Sequence, residues 1–235
     1  MRITWPRLPL LLFLVLPAGA QALDLLVYPN PGVFNVSAHD EVSGPGAAVL
    51  QRLAQVTGLP LRQRPMPAAR ALQMILQQPG QCAAGVPRTA DREHQLRWAG
   101  LMASGALTLY GRSDETREVG TPDDLRGAVV VAQRESVAVT WLRERGLNVY
   151  EVNDTLTGLR MLRAGRVDYW LVNDLPARYV IQHHDGPAPK PLHEFGRIEL
   201  YLACHRSLDE ATAERLRRGF EELRRKGELV EFGLR

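Results

Sequence analysis

The chain has 235 residues, 45% of them hydrophobic and 23% charged, with a formal net charge of +3. That length suits one large domain or two small lobes. Two of the arginines lie in a leader-like N-terminal stretch, and without them the charge falls to +1, which gives no support to nucleic-acid or membrane-surface binding.

Arg2 and Arg7 form a positive start, Leu8 to Leu16 an apolar core, and Ala18-Gly19-Ala20-Gln21-Ala22 a run of small residues suited to cleavage. This pattern predicts a secretory signal peptide over residues 1–22, with Leu23 as the mature N-terminus. The apolar core is shorter than the ~18 residues a membrane-spanning helix needs, and no later run approaches that length. No cysteine stands at the cleavage site, so no lipid anchor is expected. The expected product is an exported, periplasmic, soluble protein.

Leu23 to Tyr28 reads as a strand closed by Pro29-Asn30-Pro31-Gly32, with Phe34 in the loop beyond. Ser43-Gly44-Pro45-Gly46 opens a helix whose Val49, Leu50, Leu53, Ala54 and Val56 recur at helical spacing until Gly58. Leu59 to Arg64 is a second strand. A second helix, opened by Pro67, carries Ala71, Leu72, Ile75 and Leu76 and ends near Pro79-Gly80. Gln81 to Val86 is a short strand of small and apolar residues that stops at Pro87. Strand, helix, strand, helix, strand is the signature of a parallel sheet covered by helices.

A charged turn follows, then a strand over Ala106–Gly111. The alternation then begins again. Thr121-Pro122-Asp123-Asp124-Leu125 is a capped turn, and strands are expected over Ala128–Ala132, Asn148–Val152 and Val167–Val172. Helices are expected over Ser136–Arg145, Asp154–Arg163 and about Leu175–Gln182. A proline-rich loop, Pro187–Pro191, precedes a strand over Arg197–Cys204. Ser207 with Glu210 predicts a capping box for a helix running to about Lys226. That helix mixes Arg215, Arg217, Arg218, Arg224, Arg225 and Lys226 with Glu214, Glu221 and Glu222, the composition of a solvated face.

The turn after the third strand reads Ala84-Gly85-Val86-Pro87-Arg88-Thr89-Ala90-Asp91-Arg92-Glu93, followed by Trp98-Ala99 and Ser104-Gly105. An arginine just past a buried strand presents a planar, permanently charged fork suited to a carboxylate. The pattern small-Gly-x-x-x-Thr-x-x-Arg resembles the ligand-binding stretch of bacterial periplasmic solute-binding proteins of family 3, the amino-acid receptors of ABC importers. The resemblance runs over nearly the whole mature chain. It implies a two-lobed α/β type II periplasmic-binding-protein fold with a two-strand hinge and a cleft. Lobe one would hold residues 23–108 and 201–235, and lobe two residues 109–200. Crossings near Leu107–Gly111 and Leu200–Leu202 would form the hinge.

The same resemblance assigns roles. Arg92 falls where the family holds the ligand's carboxylate, and Asp174 where it meets the ligand's ammonium. For Asp174 a helix N-cap is the alternative. Tyr28 and Phe34 lie where the family stacks an aromatic on the ligand, with loop packing as the alternative. Gly85 belongs to the motif, Ser136 is the matching hydroxyl of the second-lobe loop, and Arg88 either reads a second acidic group or is solvated. Two departures stand out. Pro87 replaces a threonine, removing both hydroxyl and N–H. Gln133-Arg134-Glu135-Ser136 replaces a Gly-Thr pair that donates amides to the carboxylate. A carboxylate ligand survives these changes better than a standard α-amino acid does.

Cys82 and Cys204 fall on strands assigned to lobe one. They are either a disulfide, as export invites, or two buried thiols. The six histidines form no ligand cluster, so no metal or other cofactor is expected. The implied role is a non-enzymatic, monomeric binding protein working with an ABC permease. The alternatives are presentation of the ligand to a membrane sensor, and a cyclohexadienyl dehydratase-like enzyme on the same fold.

Overall fold

The computed structural model describes residues 22–30 and 32–234. The expected signal peptide lies outside the described residues except for its last residue, Ala22. In chain order the elements are β1 (Leu23–Val27), β2 (Asn35–Val36), β3 (Val42–Ser43), α1 (Pro45–Thr57), β4 (Leu61–Pro65), α2 (Ala68–Gln77), β5 (Gln81–Pro87) and β6 (Leu96–Gly111). They continue with a 3-10 turn (Pro122–Leu125), β7 (Val130–Gln133), α3 (Val137–Glu144), β8 (Val149–Val152), α4 (Thr155–Arg163), β9 (Tyr169–Asn173) and α5 (Asp174–His183). The long β10 (Lys190–His205), α6 (Glu210–Arg225) and a second 3-10 turn (Val230–Phe232) close the chain.

The period-2 alternation of strand side chains explains why each lobe has helices on both faces. In the first lobe Leu25, Val27, Cys82 and Ala84 point to one side, where they pack with Leu50 and Leu53 of α1 and Leu216 and Phe220 of α6. Leu26 and Ala83 point to the other side, against Ala71 and Ile75 of α2. The second lobe repeats the arrangement. Leu107, Leu109, Val130, Ala132, Tyr169 and Leu171 meet Val139 and Leu142 of α3. Tyr110, Val131, Trp170 and Val172 meet Leu159 and Leu162 of α4 and Val180 of α5.

Strand order is β4-β1-β5-β10-β6-β9-β7-β8. β4, β1 and β5 are parallel to each other, as are β9, β7 and β8. Between these triplets run β6 and β10, which pair antiparallel from Lys190↔Gly111 to His205↔Leu96. β10 joins the first triplet through β5, and β6 joins the second through β9. The two long strands therefore belong to both lobes and carry the chain between them. After β10, α6 and the final turn bring Leu223, Leu229, Phe232 and Leu234 back into the first lobe's core.

Three local expectations are corrected. The strand expected to start at Ala106 starts ten residues earlier, because Leu96–Gly105 is almost continuously buried and pairs with β10. The proline-rich loop is shorter than expected, since β10 begins at Lys190 and Pro191 pairs with Tyr110. That half of β10 has β6 on one side and no strand on the other, the position in a sheet where a missing N–H is tolerated. The cap of α6 is Asp209, whose carboxylate accepts from the Thr212 amide at 2.8 Å, while the Ser207 hydroxyl bonds to His205.

Cys82 and Cys204 face each other across β5 and β10 and form a disulfide. Both are fully buried, so the bridge lies inside the first lobe's core. Among the described residues no helix is long and apolar enough to cross a membrane.

Candidate ligand-binding site

A cavity of about 390 Å³ lies between the lobes, a size typical of small-molecule sites. The first lobe supplies Tyr28, Asn30 and Phe34 from β1 and its following loop, Leu72 from α2, and Gly85, Pro87 and Arg92 from the end of β5 and its turn. The second lobe supplies Gln133 to Ala138 from the loop into α3, and Val172, Asn173 and Leu175 from the β9–α5 junction. Met102, Leu107 and Leu200 of the two long strands form part of the wall. The segments after β1, β5, β7 and β9 sit at the C-terminal ends of parallel-triplet strands, where α/β sheets place their binding crevices.

Arg92 is positioned by two turns: its amide donates to the Thr89 carbonyl, and its own carbonyl accepts from Gln95. Its side chain is only 22% exposed, and the nearest carboxylate is Asp91 at 3.8 Å, itself well exposed. Among the described residues the Arg92 guanidinium has no hydrogen-bond acceptor at closer range. Its side chain is thus mostly buried while its guanidinium, loosely ion-paired with Asp91, lines a cavity with donors that an incoming anion can engage by charge-assisted hydrogen bonds.

Tyr28 lies beside it. Its hydroxyl donates to the Gly85 carbonyl. Burial pushes the phenol up to about 12, opposed by the nearby Arg92 charge. Gly85 has φ +75°, and a Cβ there would lie 3.2 Å from the Tyr28 oxygen, so both conformation and space favour glycine. Phe34 is 2% exposed and lines the cavity while packing on α1. On the second lobe, the Ser136 hydroxyl caps α3 by accepting from Val139 at 3.4 Å. Glu135 next to it holds φ +60° and also lines the cavity.

Two residues singled out from the sequence do not line this cavity. Asp174 neither faces the cleft nor caps α5: the cap is Asn173, whose side-chain oxygen accepts from Leu175 at 2.9 Å. The Asp174 carboxylate instead accepts from the Ala106 amide of β6 at 2.7 Å and pairs with Arg178 at 3.2 Å. Gly105 makes room for this, since a Cβ there would come within 2.7 Å of the Asp174 oxygen. Arg88 forms a two-pronged ion pair with Glu93 and lies over the rings of Trp98 and Tyr201, at 5.4 and 5.2 Å from their centroids. It is neither a second acid reader nor freely solvated.

Lining residues to which the sequence analysis gave no ligand role include Asn30, Met102 and Leu107, while Gln133 belongs to the second-lobe loop already singled out. Asn30 follows the first strand closely, a position that could have drawn attention to it. Met102 and Leu107 gave no such signal, because only the tertiary path of β6 brings them to the cleft. Among the described residues no group of histidine, cysteine, aspartate and glutamate side chains is arranged to hold a metal ion.

No protein-family model matches the chain, and no curated protein matches it in sequence. Solved structures match it well in shape. A histidine kinase sensor domain with similarity to periplasmic binding proteins superposes with a TM-score of 0.80 at 18% identity, over 91% of this chain and 94% of that one. The GluR0 ligand-binding core from Nostoc punctiforme in complex with L-glutamate gives 0.75 at 17%, over 89% and 96%. An ancestral arginine-binding protein bound to arginine gives 0.74 at 16%, over 90% and 96%. Likeness at this level of identity shows architecture, and the chain has the two-lobed α/β fold of the type II periplasmic binding proteins.

Proposed function

We propose that this chain is an exported, periplasmic solute-binding protein whose two lobes close over a small carboxylate-bearing ligand, with Arg92 as the group that grips the carboxylate. The observation that carries this reading is the mostly buried, loosely ion-paired Arg92 side chain, whose guanidinium lines a cavity built by both lobes. A ligand that touches both lobes binds the closed arrangement better than the open one, and that difference drives closure. Arg92, Tyr28, Phe34, Gly85 and Ser136 form the proposed site. Asp174 joins the hinge and Arg88 the first lobe's surface. The lobes divide at residues 23–108 with 201–235, and 109–200.

The amino-acid complexes among the structural neighbours support a binding role rather than catalysis. The proposed partner is an ABC permease. The sensor-kinase domain among the same neighbours favours a second reading, in which the bound ligand is presented to a membrane receptor. A thermal-shift screen of amino acids and organic acids tests the reading: at least one carboxylate should raise the melting temperature, and no response across the whole set contradicts it. Incubation with prephenate or arogenate should produce no aromatic absorbance. Turnover there would replace a binding role with an enzymatic one.

A further inference from the structure

Resting on the binding role proposed above, we infer that the ligand is an aryl or alkyl monocarboxylic acid without a protonated α-amine. An α-amino acid brings an ammonium as well as a carboxylate, and a buried ammonium requires anionic or uncommitted acceptors around it. The cavity offers few. Asp174 is absent from its wall and is held by Ala106 and Arg178. Pro87 brings no hydroxyl. The Gly85 carbonyl receives the Tyr28 hydroxyl, the Asn173 oxygen receives the Leu175 amide, and the Gln133 oxygen receives the Thr155 hydroxyl at 3.1 Å.

Among the described lining residues Glu135 is the one carboxylate. It is exposed on the second-lobe loop, where water screens its charge. Asn30, Ser136 and Thr140 add neutral polar groups, and Arg134 a second cation that is 60% exposed and 3.7 Å from Glu151. Most of the remaining wall is apolar, with Phe34, Leu72, Met102, Leu107, Val172 and Leu175 among its residues. One mostly buried cation in a largely apolar chamber is complementary to one carboxylate on an apolar body.

The test is calorimetric titration of the full mature chain with matched pairs differing only in the amine: 3-phenylpropionate against L-phenylalanine, and 4-methylpentanoate against L-leucine. In at least one pair the amine-free acid should bind at least about tenfold more tightly than its amino-acid twin. If the amino acids bind more tightly, or if Glu135→Gln selectively weakens them, the inference fails while the carboxylate-binding role stands. If neither member of either pair binds at millimolar concentration, this inference fails, and a null thermal-shift screen over the wider set would remove the binding role as well. The parent protein alone supplies the decisive comparison, so a poorly folding variant does not weaken the test.

Discussion

At the residue scale the two arginines of one turn separate into distinct roles. Arg92 keeps its donors open toward the cavity, whereas Arg88 is committed to Glu93, Trp98 and Tyr201. Truncating Arg88 removes its ring contacts, which at a partly exposed site are worth about 1 kcal/mol. Arg88→Ala should therefore lower the melting temperature slightly and change ligand affinity by less than about threefold, or ~0.65 kcal/mol. A tenfold loss of affinity in calorimetry would instead make Arg88 part of the site. The commitment of Arg88 was legible in principle, since Glu93 stands only five residues away. That of Asp174 was not, because its hydrogen-bond donor, Ala106, lies 68 positions earlier and meets it only through the pairing of β6 with β9.

At the element scale the strand-helix alternation was legible because turn residues punctuate it and apolar positions repeat at the right spacing. Gly58, for example, ends α1 in the left-handed conformation that glycine favours. The true length of β6 was hidden. A strand buried on both faces shows no alternation, and nothing local signals that the glycines at 100 and 105 make room for Phe220 and for the Asn173–Asp174 corner. The Cys82–Cys204 register was equally invisible before β5 and β10 were seen side by side. Their bridge closes a loop with a sequence separation of 122 residues. Bridges over long loops typically contribute about 2–5 kcal/mol, chiefly through the unfolded chain. The Cys82→Ala/Cys204→Ala double variant should show a lower denaturant midpoint by a corresponding amount. An unchanged midpoint would mean that the bridge adds nothing to the core around it.

At the scale of the whole molecule, function depends on how the lobes meet. They touch beside the cavity at Gly32, where a Cβ would come within 2.4 Å of the Tyr179 side chain on α5. Gly32 also holds φ +79°, so a branched residue is disfavoured by both conformation and space. Gly32→Val should wedge the lobes apart. Small-angle scattering should then show no compaction on ligand addition, and affinity should fall by about tenfold or more. Parent-like compaction and affinity would show that this contact does not govern closure.

The central claim is that Arg92 holds the ligand's carboxylate in the cleft, and calorimetric titration of Arg92→Ala tests it most directly. The ligand is whichever carboxylate gives the largest response in the screen, and the variant must first give the parent's circular dichroism. Removing charge-assisted hydrogen bonds from a mostly buried site costs about 1.5–3 kcal/mol, and more when the carboxylate is left unpaired. Affinity should fall at least about ten- to a hundred-fold, and Arg92→Lys should recover only part because an ammonium lacks the two-pronged fork. If Arg92→Ala binds as tightly as the parent, the arginine is structural and the carboxylate is held elsewhere.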